Sequence, residues 1–100
     1  MIEICNIKTD RCGEFAYDRQ VCRGKSPLGN PFTLKRESDR DKVCDAYELW
    51  FYENFNRLLP SLLDLYMINR QCGNLRLFCW CAPKRCHATT IKQWLESQLL

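Results

Sequence analysis

Leu75-Arg76-Leu77-Phe78-Cys79-Trp80-Cys81-Ala82-Pro83-Lys84-Arg85-Cys86-His87 is the stretch on which the fold turns. Leu75 to Trp80 is a short, mostly apolar run of the length and residue types of a strand. Ala82-Pro83 breaks it, since proline has no N–H for a ladder. From about Cys86 to Leu99, the residues Ile91, Trp94, Leu95 and Leu99 fall on one helical face. A strand therefore leads through a tight polar segment into a closing helix.

Reading upstream, Gly73-Asn74 is turn chemistry. Ser61 to Asn69 reads as a short helix with Leu62, Leu65 and Tyr66 on one face, and Pro60 ends or kinks whatever precedes it. Val43, Tyr47, Trp50, Phe51 and Phe55 recur at three- and four-residue steps, which predicts a helix from about Asp39 to Leu58, N-capped by Ser38 or Asp39. This aromatic stripe is read as core. Arg23 to Phe32 is a loop holding Gly24, Pro27, Gly29 and Pro31. Phe15 to Cys22 alternates as a strand does, and Ile2 to Lys8 is a first strand with one irregularity. Helices between strands predict an α/β domain over residues 1–100: a small open mixed sheet of about three or four strands with helices packed on it.

The chain has 100 residues, 46% of them apolar, enough for one packed core without disulfide staples. Its net charge is only +3. Residues 73–100 are the one locally basic segment, with Arg76, Lys84, Arg85 and Lys92 against Glu96. That balance is short of a DNA-binding stripe but favours an anionic ligand near Lys84, Arg85 and Lys92. No stretch approaches the roughly 18 apolar residues of a membrane span: Tyr47 to Ile68 is broken by Glu48, Glu53, Asn54, Arg57, Pro60 and Asp64. Eight cysteines invite a disulfide framework. Met1 to Lys8 has no apolar run of signal-peptide length, so the expectation is a cytoplasmic protein with most thiols free.

Two segments can carry chemistry. Ser26-Pro27-Leu28-Gly29 fits a type I turn, and Pro31 holds Asn30 extended, giving a stiff loop flanked by Arg23 and Lys25. The same pattern also suits a plain connector. In the second, Cys79 and Cys81 share a strand face, and Cys86 and His87 fall in the first turn of the last helix, where free N–H groups and the helix dipole favour a thiolate. Cys86 is then a nucleophile and the most acidic exposed thiol, with His87 as a general acid or base. Alternatively Cys79, Cys81, Cys86 and His87 supply a zinc set, although the one-residue gap between Cys79 and Cys81 is tighter than usual zinc spacing. The bland alternative is packing, as for many free cysteines. Cys5, Cys22 and Cys44 are read as core or core boundary, and Cys12 and Cys72 have no assigned role.

Taken together, Ser-Pro-Leu-Gly-Asn-Pro-Phe (26–32), the aromatic-rich helix through Tyr47-Glu48-Leu49-Trp50-Phe51, and Cys-Trp-Cys-Ala-Pro-Lys-Arg-Cys-His-Ala (79–88) resemble the phage and bacterial family called domain of unknown function 4326. The resemblance covers nearly the whole chain. It implies Gly29, Asn30, Pro31, Cys79, Cys81, Pro83, Cys86 and His87 as signature positions, and it implies no activity. One departure stands out: Arg23 comes one residue earlier than the family's arginine before Gly-Asn-Pro, with Lys25 inserted.

In open α/β sheets, ligands bind beyond the carboxyl ends of the strands. If the strands leading to the two segments are parallel neighbours, both segments meet in one pocket. The functional expectation is a site for an anionic, nucleotide-like small molecule, with Arg23, Lys25, Ser26, Gly29 and Asn30 holding it and Cys86 and His87 at its floor. The rival expectation is a zinc-bound structural or protein-interaction module. Nucleic-acid binding through Lys84, Arg85 and Lys92 ranks third.

Overall fold

The computed structural model describes residues 1–98, so the expected helix end at Leu99 lies outside the described residues. Three strands form the sheet: β1 (Ile2–Asn6), β2 (Asp18–Gln20) and β3 (Leu75–Cys79). A 3-10 turn, Glu37–Asp39, leads into α1 (Arg40–Glu53), which is followed by α2 (Phe55–Cys72); α3 (Ala88–Ser97) follows β3. The sheet order is β1-β3-β2. It is the small open α/β sheet that was expected, but it is wholly parallel rather than mixed, with Ile4 opposite Leu77 and Arg19 opposite Leu77 on the other side.

The strand pattern decides where the helices go. Leu75, Leu77 and Cys79 point to one face, where they join Ile2, Tyr47, Phe51, Leu58, Leu62, Ile91 and Leu95 in a single buried cluster. The aromatic stripe is core as expected: Tyr47 and Phe51 are fully buried, with Trp50 and Phe55 packed against them. No described helix is long and apolar enough to cross a membrane.

The long helix breaks earlier than Pro60 suggests. Asn54 leaves helical geometry; its backbone N–H and its side-chain amide both donate to the Trp50 carbonyl, and its own carbonyl accepts from Arg57 and Leu58. Pro60 then sits inside α2, and the carbonyl it leaves without a helical partner belongs to exposed Asn56. Gly73 closes α2 in the left-handed conformation with φ 75°, its N–H returning to the Asn69 carbonyl.

The other sheet face meets the chain between β1 and β2. Residues 7–17 cross it as a loop, and Arg76 stands at its centre, 4.9 Å from both the Phe15 and the Phe78 ring centroids. Its guanidinium bonds Asp18 at 2.8 and 3.2 Å and the Arg11 carbonyl at 2.9 Å. The Asp18 carboxylate also accepts the N–H groups of Gly13 and Phe15. This turn consumes the start of the expected Phe15–Cys22 strand and leaves three residues of ladder. β1 likewise stops at Asn6, because the Asn6 side chain accepts from Lys8 and its N–H donates to the Asp10 carboxylate.

The Asp18 side chain has no solvent exposure and that of Arg76 only 15%. Asp18→Ala is therefore expected to destabilise the protein by about 3 kcal/mol, the low end for breaking a buried pair. Urea unfolding should show a lower midpoint at unchanged slope.

Candidate functional site

The first wall of the site is the chain after β2. The Gly29 N–H donates to the Ser26 carbonyl at 3.0 Å, which is the type I turn read from the sequence, and the Ser26 hydroxyl accepts from Leu28 N–H. The turn folds back so closely that a Cβ on Gly29 would lie 2.5 Å from Arg23 Cα and 2.8 Å from the Cys22 carbonyl oxygen. Only glycine fits there. The Tyr47 hydroxyl donates to the Leu28 carbonyl at 2.6 Å from below. Arg23 clasps the outgoing chain, donating to the carbonyls of Asn30 (2.8 Å) and Phe32 (2.9 Å), while the Asn30 side chain accepts from Phe32 N–H.

The second wall is the chain between β3 and α3. Asn6 holds its turn by donating to the carbonyls of Trp80 and Ala82. Arg40 donates to the Arg85 carbonyl at 2.9 Å, and Arg85 reaches Asp41 and Asp45 of α1. Cys86 and His87 come immediately before α3 rather than within its first turn. The His87 ring packs edge-on to Tyr47 at 5.1 Å, and its Nε2 lies 2.6 Å from the Val21 carbonyl. A carbonyl only accepts, so Nε2 carries the proton and the lone pair is on Nδ1.

β2 and β3 are parallel neighbours, so the two walls meet beyond their carboxyl ends around a cleft of about 310 Å³. Arg23, Asn30, Cys79, Cys81, Cys86 and His87 all line it, as the strand-end rule led one to expect. Lys25 and Ser26 do not; they face a separate surface depression shared with Pro60 and Asp64, because the turn at Ser26 carries them to the outside of the loop. Gly29 acts through close packing on Arg23 rather than by touching the cleft. Sequence reasoning missed Phe32, Leu34, Arg40 and Val43 as lining residues, and it read Cys22 and Cys44 as core or core boundary when both also reach the cleft. Arg40 was findable in principle, since Glu37 three residues earlier forms a forked ion pair with it.

The charges are arranged differently from the linear count. Lys84 pairs with Glu37 at 3.0 Å, and Arg85 with Asp41 and Asp45 at 2.9 and 2.8 Å. Two of the three basic residues that pointed to an anion, Lys84 and Arg85, are thus matched by carboxylates of the 3-10 turn and α1. Arg23 bonds carbonyls and the Thr33 hydroxyl, and pairs with no carboxylate among the described residues.

All eight cysteines are free thiols. Cys79, Cys81, Cys86 and His87 share the cleft, but among the described residues no three His, Cys, Asp or Glu side chains are grouped to hold a metal ion. Instead Cys79 and Cys86 form a buried pair with sulfurs 3.1 Å apart. The pair is polarised opposite to the sequence expectation. The bond to Cys86, helped by the N–H groups of Cys81 and Ala82, holds the Cys79 thiol below the ordinary range despite burial. The same bond, together with burial, pushes Cys86 up, and the Ala88 N–H at the helix start does not offset it. Burial, with the Arg23 charge nearby, holds the His87 pKa down against its bond to Val21, so the ring is neutral near pH 7.

His87 is the chain's one histidine, so its ring protons report it alone. Proton NMR should give it a pKa below about 6.5, with the proton on Nε2. The unfolded chain binds that proton at higher pH than the folded one. Stability from this group is therefore full above about pH 6.5 and is lost as pH falls toward the lower folded value. His87→Ala should remove that pH dependence and cost about 1–3 kcal/mol by leaving the Val21 carbonyl unpaired.

No curated protein and no solved structure matches the chain. The family model described as Domain of unknown function (DUF4326) matches residues 5–97, a span that contains both walls of the cleft. The chain therefore belongs to the family called Domain of unknown function (DUF4326).

Proposed function

We propose that the chain binds an anionic, nucleotide-like small molecule in the cleft between the Ser26–Phe32 loop and the Cys79–His87 segment. The observation that carries the reading is the position of Arg23. It is a guanidinium without a carboxylate partner among the described residues, at the rim of a cleft beyond the carboxyl ends of two parallel strands. A charge so placed favours an anion, and a guanidinium fork suits phosphate or carboxylate oxygens. Trp80 and Phe32 also line the cleft and are 56% and 38% exposed, which leaves ring surface for a planar group to stack on. The volume of about 310 Å³ is at the small end of ligand sites and suits a mononucleotide-sized molecule better than a polymer. The pairing of Lys84 with Glu37, and of Arg85 with Asp41 and Asp45, counts against a nucleic-acid surface.

In this reading Arg23 takes the anionic group, and the Asn30 amide and the His87 Nδ1 lone pair supply polar contacts. The Gly29 turn and the Tyr47 bond to Leu28 keep the loop in place before any ligand arrives. A nitrogen-15 NMR titration with adenosine monophosphate, and separately with inorganic phosphate, tests it. The nucleotide should shift the Trp80 indole, the Arg23 side-chain N–H and the His87 ring, and phosphate alone should shift chiefly Arg23. Arg23→Gln should weaken nucleotide binding by about ten- to a hundredfold, the loss of one hydrogen bond to a charged group. Arg23→Lys, which keeps the charge, should retain part of it. Millimolar nucleotide and phosphate that leave every cleft resonance unmoved would refute the proposal.

A further inference from the structure

We propose that Cys79 and Cys86 form a redox-active dithiol site, oxidised by a hydroperoxide that enters through the cleft to give a Cys79–Cys86 disulfide. The inference goes beyond ligand binding and stands whatever the cleft holds. It rests on the arrangement of sulfurs. The two Sγ atoms are 3.1 Å apart, and a disulfide bond of about 2.0 Å needs them to approach by only about 1 Å. Both are buried from bulk solvent yet line the cleft, so a molecule of peroxide size has a route to them. The two sulfurs share one hydrogen bond in which either can be the donor, and the N–H groups of Cys81 and Ala82 favour the negative charge on Cys79. Three other thiols reach the same cleft, but each is differently engaged. Cys22 gives its S–H to the Phe78 carbonyl at 3.4 Å, Cys81 faces the Arg40 guanidinium, and Cys44 belongs to α1.

The chemistry balances in two steps. The Cys79 thiolate attacks one peroxide oxygen, the O–O bond breaks, and the departing hydroxide takes a proton from solvent to leave as water, with Cys79 as a sulfenic acid. Cys86 then attacks the Cys79 sulfur and gives up its proton, the S–O bond breaks, and hydroxide leaves with that proton as a second water. Two thiols lose two electrons in all, and one hydrogen peroxide is reduced to two waters. Cys86 is thus the resolving thiol and Cys79 the attacking one.

The experiment is peroxide oxidation of the intact, fully reduced chain, followed by alkylation and mass spectrometry. The expected result is loss of two hydrogens and two fewer alkylated thiols, reversed by dithiothreitol. Trypsin cuts after Lys84 and after Arg85, which separates Cys79 and Cys81 from Cys86, so the disulfide appears as peptide 77–84 joined to 86–92. In Cys81→Ser the cross-link should persist. In Cys79→Ser it should vanish, and in Cys86→Ser a sulfenic acid trapped by dimedone should appear on Cys79. Full alkylation of Cys79 and Cys86 after peroxide overturns the proposal, as does first oxidation of Cys12, Cys72 or Cys81. So does a cross-link to Cys86 that survives in Cys79→Ser. The wild-type and Cys81→Ser results decide the matter even if a buried substitution disturbs folding.

Discussion

A strand that pairs in parallel on both sides cannot be joined to either neighbour by a tight turn. β3 is such a strand, between β1 and β2. The chain must travel from the end of β2 back to the start of β3, and it does so through α1 and α2; from β1 to β2 it crosses the far face as the 7–17 loop. All three strands consequently finish at one edge. The Cys22–Asn30 wall and the Cys79–His87 wall are brought together there by this alignment, and residues more than fifty positions apart become neighbours, as the bonds of His87 to the Val21 carbonyl and of Cys22 to the Phe78 carbonyl show.

Within that edge, polar groups compete for few partners. His87 could have pointed both nitrogens into the cleft, but Nε2 is given to Val21, so the imidazole is first a brace and offers one lone pair. Cys86 could have exploited the start of α3, but it shares its bond with Cys79, and the N–H groups of Cys81 and Ala82 favour the charge on Cys79. Arg40, Lys84 and Arg85 are absorbed by Glu37, Asp41 and Asp45, leaving Arg23 to set the local potential.

What the sequence revealed followed from local rules. The strand-to-helix passage around Pro83, the turns at Ser26–Gly29 and Gly73 and the Tyr47–Phe51 stripe each depend on neighbours within a few residues, and each stands. What it hid depended on distant partners. The helix break falls at Asn54 because that residue's amide finds the Trp50 carbonyl, while Pro60 is tolerated where it leaves an exposed acceptor. Parallel pairing is invisible in alternation, since a strand's apolar face reads the same in either direction. Lys25 and Arg23 are two residues apart and chemically alike, yet the turn sends them to different faces. The polarity of the thiol pair depends on N–H groups that no residue letter encodes.

Seven of the bonds that hold the two walls share one form: a side chain gives a proton to a main-chain carbonyl. Arg23 grips Asn30 and Phe32, Tyr47 grips Leu28, His87 grips Val21, Asn6 grips Trp80 and Ala82, and Arg40 grips Arg85. Every amino acid brings the same carbonyl, so the gripped positions can change identity without loosening the bond. The donors have no such freedom. The cleft can therefore drift in its apolar lining, and hence in the shape it presents to a guest, while five donor side chains keep its frame. Mutational tolerance here is set by which end of each hydrogen bond a residue supplies.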